Sequence, residues 1–298
     1  MSSGKMHDDE VETDVALVRR LLAAQFPQWA SLPLTPVSSA GTDNALYRLG
    51  DEMVVRLPRI HWAVGSVDKE HQWLPRLAPL LPLAIPVPLA KGTPGEGYPW
   101  HWSIYQWLDG ENATTARIDD PSEMARELAR FIAALRRIDA TGGPPSGRGV
   151  PLALRDAETR AAISALDGML DTGAVTAAWE AALRAPAWDG PPLWLHGDLL
   201  AGNLLVQGGR LSAVLDWGGL GVGDPACDVM VAWSVFSAGT RDTFRAALAV
   251  DDAMWARGRG WALSFGLIAL PYYQHSNPVL AGIARRAIDE ALADHQRR

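Results

Sequence analysis

The sequence predicts an α+β protein of two lobes, a small β-rich one followed by a mostly helical one. Three observations carry that reading. Residues 45–57 hold two short β-prone runs around Gly50-Asp51, the pattern of a hairpin. Residues 120–138 carry one apolar stripe at helical spacing. Residues 192–228 alternate short apolar runs with isolated polar groups, as strands and tight turns set inside the helical half would. At 298 residues and 48% hydrophobic, the chain is long enough for two lobes or one large domain. After Leu108 the sequence turns helical, which divides it into 1–108 and 109–298.

In chain order, 1–10 (MSSGKMHDDE) has no apolar signal core and reads as a frayed tail. Val15, Val18, Leu21, Leu22 and Phe26 give an amphipathic helix over 11–26. Residues 37–44 form a loop of small polar residues leading into strand 45–49, the Gly50-Asp51 turn and strand 53–57. Prolines punctuate 75–99, which predicts extended chain and an edge strand rather than helix. A bulky β-like run, 101–108, follows and is ended by Asp109-Gly110-Glu111. Asp120, Pro121 and Glu123 make a capped helix start, and Met124, Leu128, Phe131, Ile132, Leu135 and Ile138 form its core stripe. Residues 141–150 read as a surface loop, and 155–170 and 174–184 as Ala-rich helices. Gly223-Asp224-Pro225 gives a turn and a helix start. Helices are expected at 240–249, 254–270 and 278–296, with Pro271-Tyr272-Tyr273 breaking the run.

Composition narrows the classes. Charged residues make up 20%, which argues against a generally disordered chain. A net charge of −7, a pI near 5.5 and no basic block argue against nucleic acid as a partner. The single cysteine, Cys227, excludes an intramolecular disulfide, fits a reducing cytoplasmic setting and reads as a small buried residue. The most apolar stretch, 77–90, holds Pro79, Pro82, Pro86 and Pro88, so no membrane helix is expected there.

The chemistry gathers in 193–228. Apolar runs at 193–195, 204–206 and 211–215 flank His196, Asp198, Asn203 and Asp216, and Gly208-Gly209 supplies a hairpin turn. A loop carrying Asp198 and Asn203 enters the hairpin and Asp216 leaves it, so the three side chains can meet at one mouth. A carboxylate can accept a hydroxyl proton, while an amide and a second carboxylate are hard oxygen ligands for magnesium. Phosphoryl transfer from a nucleotide needs that set. No G-x4-G-K-[ST] sequence occurs, so a P-loop enzyme is not supported.

HGDLLAGN followed by LDW resembles the aminoglycoside phosphotransferase family, the small-molecule branch of the protein-kinase-like fold. The resemblance runs over nearly the whole chain from about Val37. It implies Asp198 as catalytic base, Asn203 and Asp216 as Mg2+ ligands, ATP or GTP as donor, and a small-molecule hydroxyl as acceptor. It implies a phosphate-covering loop with Gly41, Thr42 and Asn44. Arg56 stands where such folds carry a lysine, with Glu70 as its acid and Arg59 or Lys69 as substitutes. Gln106, Trp107 and Leu108 fall at the hinge, where backbone groups read the base. Asp228 is implied to brace the catalytic loop. His196 either holds that loop by packing and hydrogen bonding, the favoured reading, or acts in catalysis.

For the acceptor, the family implies an aminoglycoside first, in keeping with a modest acidic excess between Asp109 and Asp189. The ending His295-Gln296-Arg297-Arg298 points the other way. Trp179, Trp188, Trp233, Trp255, Trp261, Tyr272 and Tyr273 would suit a larger, less charged acceptor such as a macrolide, should any face the cleft. A metabolite kinase of the same fold stands beside these. Two other classes stay open: a nucleotide-binding pseudo-enzyme, and a metal-dependent hydrolase built on His196, Asp198 and Asp216.

Overall fold

Helix α1 (Val15–Gln25) begins where the Asp14 carboxylate accepts from the Leu17 N–H at 2.7 Å, and it buries Leu17, Val18, Leu21 and Leu22. These residues pack on a sheet built from β1 (Leu34–Pro36), β2 (Asn44–Leu49), β3 (Met53–Pro58), β4 (Pro88–Gly92) and β5 (Trp102–Gln106). The strand order is β1-β2-β3-β5-β4, and every pair is antiparallel. Alternation along β2 and β3 buries Ala45, Tyr47, Leu49, Val55 and Leu57 beneath α1, together with Trp102 and Ile104. The computed structural model describes residues 10–38 and 41–297. Apart from Glu10, the expected tail lies outside them, as do Ser39 and Ala40 of the loop at 37–44.

Helix α2 (Val64–Leu77) follows β3 and carries Glu70 on its buried face. It corrects the expectation of extended chain from residue 75, because Pro75 lies inside it. Proline there removes one N–H near the helix end, while the Ala78 N–H still reaches Leu74 O. Burial of Trp73, Leu74 and Leu77 against the second core outweighs that loss. Strand β4 occupies the sheet edge, as the prolines predict.

The second half is mostly helical: α3 (Pro121–Arg137), α4 (Asp156–Ala165), α5 (Thr172–Leu183), α6 (Ala226–Val229), α7 (Val231–Ser234), α8 (Ala238–Leu248), α9 (Asp252–Tyr273) and α10 (Pro278–Gln296). Asp120 caps α3 through the Ser122 and Glu123 N–H groups. Helix α4 stops short of residue 170, since Leu166 N–H is shared among preceding carbonyls and the chain turns between Asp167 and Leu170. Helix α9 runs through Pro271 instead of breaking there, and Gln274 N–H closes its last turn on Leu270 O. Trp179, Trp233, Trp255 and Trp261 are core residues, and Cys227 is buried.

Short strands lie among these helices. β6 (Glu111–Asn112) pairs with β8 (Leu204–Gln207), which forms a hairpin with β9 (Arg210–Val214). Gly208 and Gly209 both have positive φ, 57° and 77°, as a two-residue hairpin turn requires. β7 (Leu193–Leu195) joins no hairpin but pairs with β10 (Gly221–Gly223). Ala84, just before β4, exchanges backbone hydrogen bonds with Ser212 and Val214, which stitches the sheet half to the β8–β9 hairpin. Among the described residues no helix is long and apolar enough to cross a membrane.

Candidate active site

Strand β7 delivers the chain to His196, and the start of α6 lies directly behind it. The Asp228 carboxylate accepts from the His196 N–H at 2.9 Å and the Gly197 N–H at 2.8 Å. The His196 ring is buried against Trp217, with centroids 4.7 Å apart. Its Nε2 lies 2.9 Å from Leu215 O, and its Nδ1 accepts from the Asp198 N–H at 3.1 Å. That pairing requires the neutral Nε2–H tautomer and leaves neither nitrogen for a metal. Gly197 has φ 85°, and a Cβ there would lie 2.6 Å from Gly219 O, so the loop can pass only as glycine.

From that fixed loop, Asn203 Nδ2 donates to Asp198 O at 2.8 Å and to Asp198 Oδ2 at 3.2 Å. Leu215 N–H donates to Asn203 O at 2.7 Å, which sets Asp216 beside Asn203. Asp216 adopts a left-handed backbone, φ 57° and ψ 76°, the kind of strain that turns a side chain into a site. The structure therefore brings Asp198, Asn203 and Asp216 together. With the Asn203 nitrogen turned to Asp198, its oxygen points away; with the second Asp216 oxygen it offers the sparse hard-oxygen set that suits Mg2+, which keeps water and phosphate ligands. Among the described residues no group of three His, Cys, Asp or Glu side chains could form a protein-only metal cage. Burial pushes the Asp198 carboxyl above the usual carboxylate range; the Arg148 charge opposes the rise and Asp216 adds to it.

Across the mouth, Arg56 Nη1 donates to both Glu70 oxygens, at 2.7 and 2.6 Å, and Nη2 to Asp216 Oδ1 at 3.0 Å. Asn44, with its amide oxygen turned to the guanidinium, accepts from Nη2 at 2.9 Å and Nε at 3.2 Å. A guanidinium has five N–H donors, and these contacts engage all of them. Burial alone would favour a neutral Arg56, but Glu70 and Asp216 outweigh it and hold the group charged. Tyr105, on β5, adds its hydroxyl to Glu70 at 2.5 Å. Arg56 makes the Glu70 contact, whereas Lys69 donates to Gly218 O at 2.7 Å.

Thr42 is buried beside Gly41. Its hydroxyl donates to Asp43 and lies 3.4 Å from the Tyr273 hydroxyl at the end of α9, so this loop touches the helical half. At the hinge, the Gln106 N–H is held by Val87 O and the Trp107 N–H by Glu52 O, and Arg48 covers the Trp107 ring at 3.8 Å. Among the described residues, the Leu108 N–H has no partner. Sequence reasoning missed Tyr105 and Arg148, and it named Tyr273 only among the aromatics that would suit a larger acceptor, not as a partner of Thr42. Arg148 lies in a Gly- and Pro-rich stretch whose composition signals only a loop.

A groove of about 640 Å³ opens beside the loop that carries Asp198 and Asn203, at Ala201. Ile118, Met124, Phe236 and Ile283 give it an apolar wall, Thr114, Thr115 and Thr240 supply hydroxyls, and Arg286 is its charged lining residue. Of the aromatic residues that would suit a larger acceptor if they faced the cleft, Tyr273 touches Thr42 of the loop, and Trp179, Trp233, Trp255 and Trp261 are core.

The sequence profile of the phosphotransferase enzyme family matches residues 34–261. An uncharacterised Bacillus subtilis protein, YcbJ, is 30% identical over 190 residues, covering 61% of this chain and 57% of its own length. The chain thus spans less than two thirds of the length of the curated relatives it matches. The GDP complex of wild-type aminoglycoside 2'-phosphotransferase-IIIa superposes with a TM-score of 0.73 at 18% identity, over 95% of this chain and 100% of that one. Macrolide 2'-phosphotransferase MphH from Brachybacterium faecium gives 0.60 at 25% identity, over 91% and 98%. The kinase-like fold, the profile match and the HGD-x4-N and LDW residues agree: the chain belongs to the phosphotransferase enzyme family.

Proposed function

We propose that this protein is a nucleotide- and magnesium-dependent kinase of small molecules, working in the cytoplasm, with 1–108 as its nucleotide-binding lobe and 109–298 as its catalytic and acceptor lobe. The observation that carries the reading is the convergence of Asp198, Asn203 and Asp216 on the Arg56–Glu70 pair. Asp198, raised by burial and held by Asn203, takes the proton from the acceptor hydroxyl. Asn203 and Asp216 would hold Mg2+, which when bound neutralises phosphate charge. Arg56 and Glu70 set the position of Asp216 and the nucleotide phosphates, beneath the loop of Gly41, Thr42 and Asn44. The hinge residues Gln106, Trp107 and Leu108 seat ATP or GTP, with the Leu108 N–H as the donor to the base. His196 and Asp228 keep the catalytic loop in place. The fixed neutral His196 speaks against the hydrolase reading, which needs it as a metal ligand, and a complete set of polar groups speaks against a pseudo-enzyme.

For the acceptor, the groove favours one order over the other. An aminoglycoside is a polycation and wants carboxylates; none lines this groove among the described residues. An apolar wall with hydroxyls suits a neutral, hydroxylated body, so a macrolide-type acceptor stands ahead of an aminoglycoside, with a metabolite of similar character third. Nucleotide turnover screened against both antibiotic classes and a metabolite panel tests this. A neutral acceptor should show a KM that is insensitive to ionic strength. Turnover of aminoglycosides alone, with a KM rising steeply in salt, would reverse the order; no turnover or nucleotide binding at all would end the kinase reading.

A further inference from the structure

Arg148 lies in the loop between α3 and α4, and its guanidinium makes no hydrogen bond, ion pair or ring contact among the described residues. The backbone that carries it is tightly fixed. Ser146 Oγ donates to Gly219 O at 2.8 Å and accepts the Arg148 N–H at 3.1 Å. Ser146 N–H reaches Val222 O at 3.1 Å, and Asp224 N–H reaches Gly149 O at 2.8 Å. Gly219 in turn lies against Gly197, the residue before Asp198, too closely for any side chain between them. The loop is thus tied to the segment that follows Asp216 and to the one that precedes Asp198. Arg148 is half-buried there, and its charge is the strongest one opposing the effect of burial on Asp198.

An unpaired guanidinium whose charge acts on the Asp198 carboxylate, on a loop tied to both flanks of the site, has an electrostatic purpose. Asp198 presents negative charge to an incoming phosphate, and the five Arg56 donors are already engaged by Glu70, Asp216 and Asn44. Lys69 is turned to Gly218 O. We propose that Arg148 is a catalytic residue whose guanidinium grips the oxygens of the phosphoryl group as it passes from nucleotide to acceptor beside Asp198. This rests on the kinase reading above. In the step, the acceptor oxygen forms a bond to the terminal phosphorus and the bond from that phosphorus to the bridging oxygen breaks. The electron pair leaves with the nucleoside diphosphate, and the acceptor proton goes to Asp198. Arginine is suited to the three oxygens because its planar fork donates two parallel hydrogen bonds.

The test uses the full chain and needs no identified acceptor. Slow hydrolysis of ATP and GTP, the affinity for Mg-ADP and Mg-GDP, and the further thermal shift on adding aluminium fluoride are measured for wild type, Arg148→Ala and Arg148→Lys. A gripping arginine predicts a kcat lower by roughly 10³-fold in Arg148→Ala, diphosphate affinity within about threefold of wild type, and loss of the aluminium fluoride shift. Arg148→Lys should recover part of both. Wild-type kcat and aluminium fluoride trapping in Arg148→Ala overturn the proposal and leave the kinase reading standing. Equal loss of Tm and diphosphate binding in both variants reduces Arg148 to a structural role. Wild-type protein that neither binds nor turns over a nucleotide removes both readings together.

Discussion

Arg56, on the third strand of the sheet, donates to Asp216, on the far side of the mouth, across 3.0 Å, while its other edge is clamped by Glu70. One guanidinium thereby joins the sheet, α2 and the catalytic hairpin.

Arg56→Ala should both destabilise the fold and impair nucleotide use. Glu70 is 1% exposed, and removing its partner leaves an uncompensated buried carboxylate, a loss of about 3–5 kcal/mol for such pairs. Arg56→Lys should do less harm, keeping Glu70 paired but releasing Asn44 and Asp216. Denaturant titration and nucleotide KM check this; wild-type kinetics in the alanine variant would hand the role to Arg59 or Lys69.

Asp198→Asn should lower kcat by roughly two to four decades with nucleotide affinity little changed. Its stability should move the other way. The folded-state pKa of Asp198 lies above its unfolded value, so folding favours the protonated acid, and ionisation lowers stability as pH rises through that window. Above the raised pKa the asparagine variant should therefore melt higher than wild type. The gap should close as pH falls to the ordinary carboxylate range, which melting curves over a pH series will show.

Asp216→Ala should abolish the magnesium dependence of nucleotide binding, read by calorimetry with and without the ion. It also frees one edge of Arg56. Residual binding that is independent of magnesium is the expected signature; unchanged metal-nucleotide affinity would put the ligands elsewhere.

Asp228→Asn should loosen the catalytic loop without touching substrate. An amide oxygen can serve one of the His196 and Gly197 N–H groups well, leaving the other buried and poorly matched at about 1–3 kcal/mol. Both Tm and kcat should fall, with nucleotide KM nearly constant. A kcat at wild-type level would show that the loop holds its shape without this carboxylate.

The fold was legible where local chemistry and burial agree. Asp120-Pro121 starts a helix, Gly208-Gly209 turns a hairpin, and the stripe from Met124 to Leu135 is core. It was less legible where tertiary packing overrides local preference: Pro75 and Pro271 sit inside helices because the buried faces around them outweigh one absent hydrogen bond. The pairing of β7 with β10 rather than with β8 joins residues far apart in sequence, which periodicity cannot reveal. Within the site, Asp198, Asn203 and Asp216 could be read because they fall in one short span. Tyr105 and Tyr273 reach the same mouth from distant segments, and Arg148 sits on a loop that Ser146 ties to Gly219, with no motif around any of them. The hinge shows a finer limit. Residue order pointed to three backbone positions, but only the structure reveals that two of their N–H groups are already engaged.

Gly197 and Gly219 face each other across the catalytic loop. A Cβ on Gly197 would lie 2.6 Å from Gly219 O, and one on Gly219 would lie 2.8 Å from His196 O. Each position is closed by main chain rather than by a side chain that could be trimmed elsewhere. No second substitution can therefore rescue a change at either one, and the two behave as a locked pair in sequence space. Drift around this pocket, including any drift that retunes the acceptor, has to travel through the groove walls and leave the loop untouched.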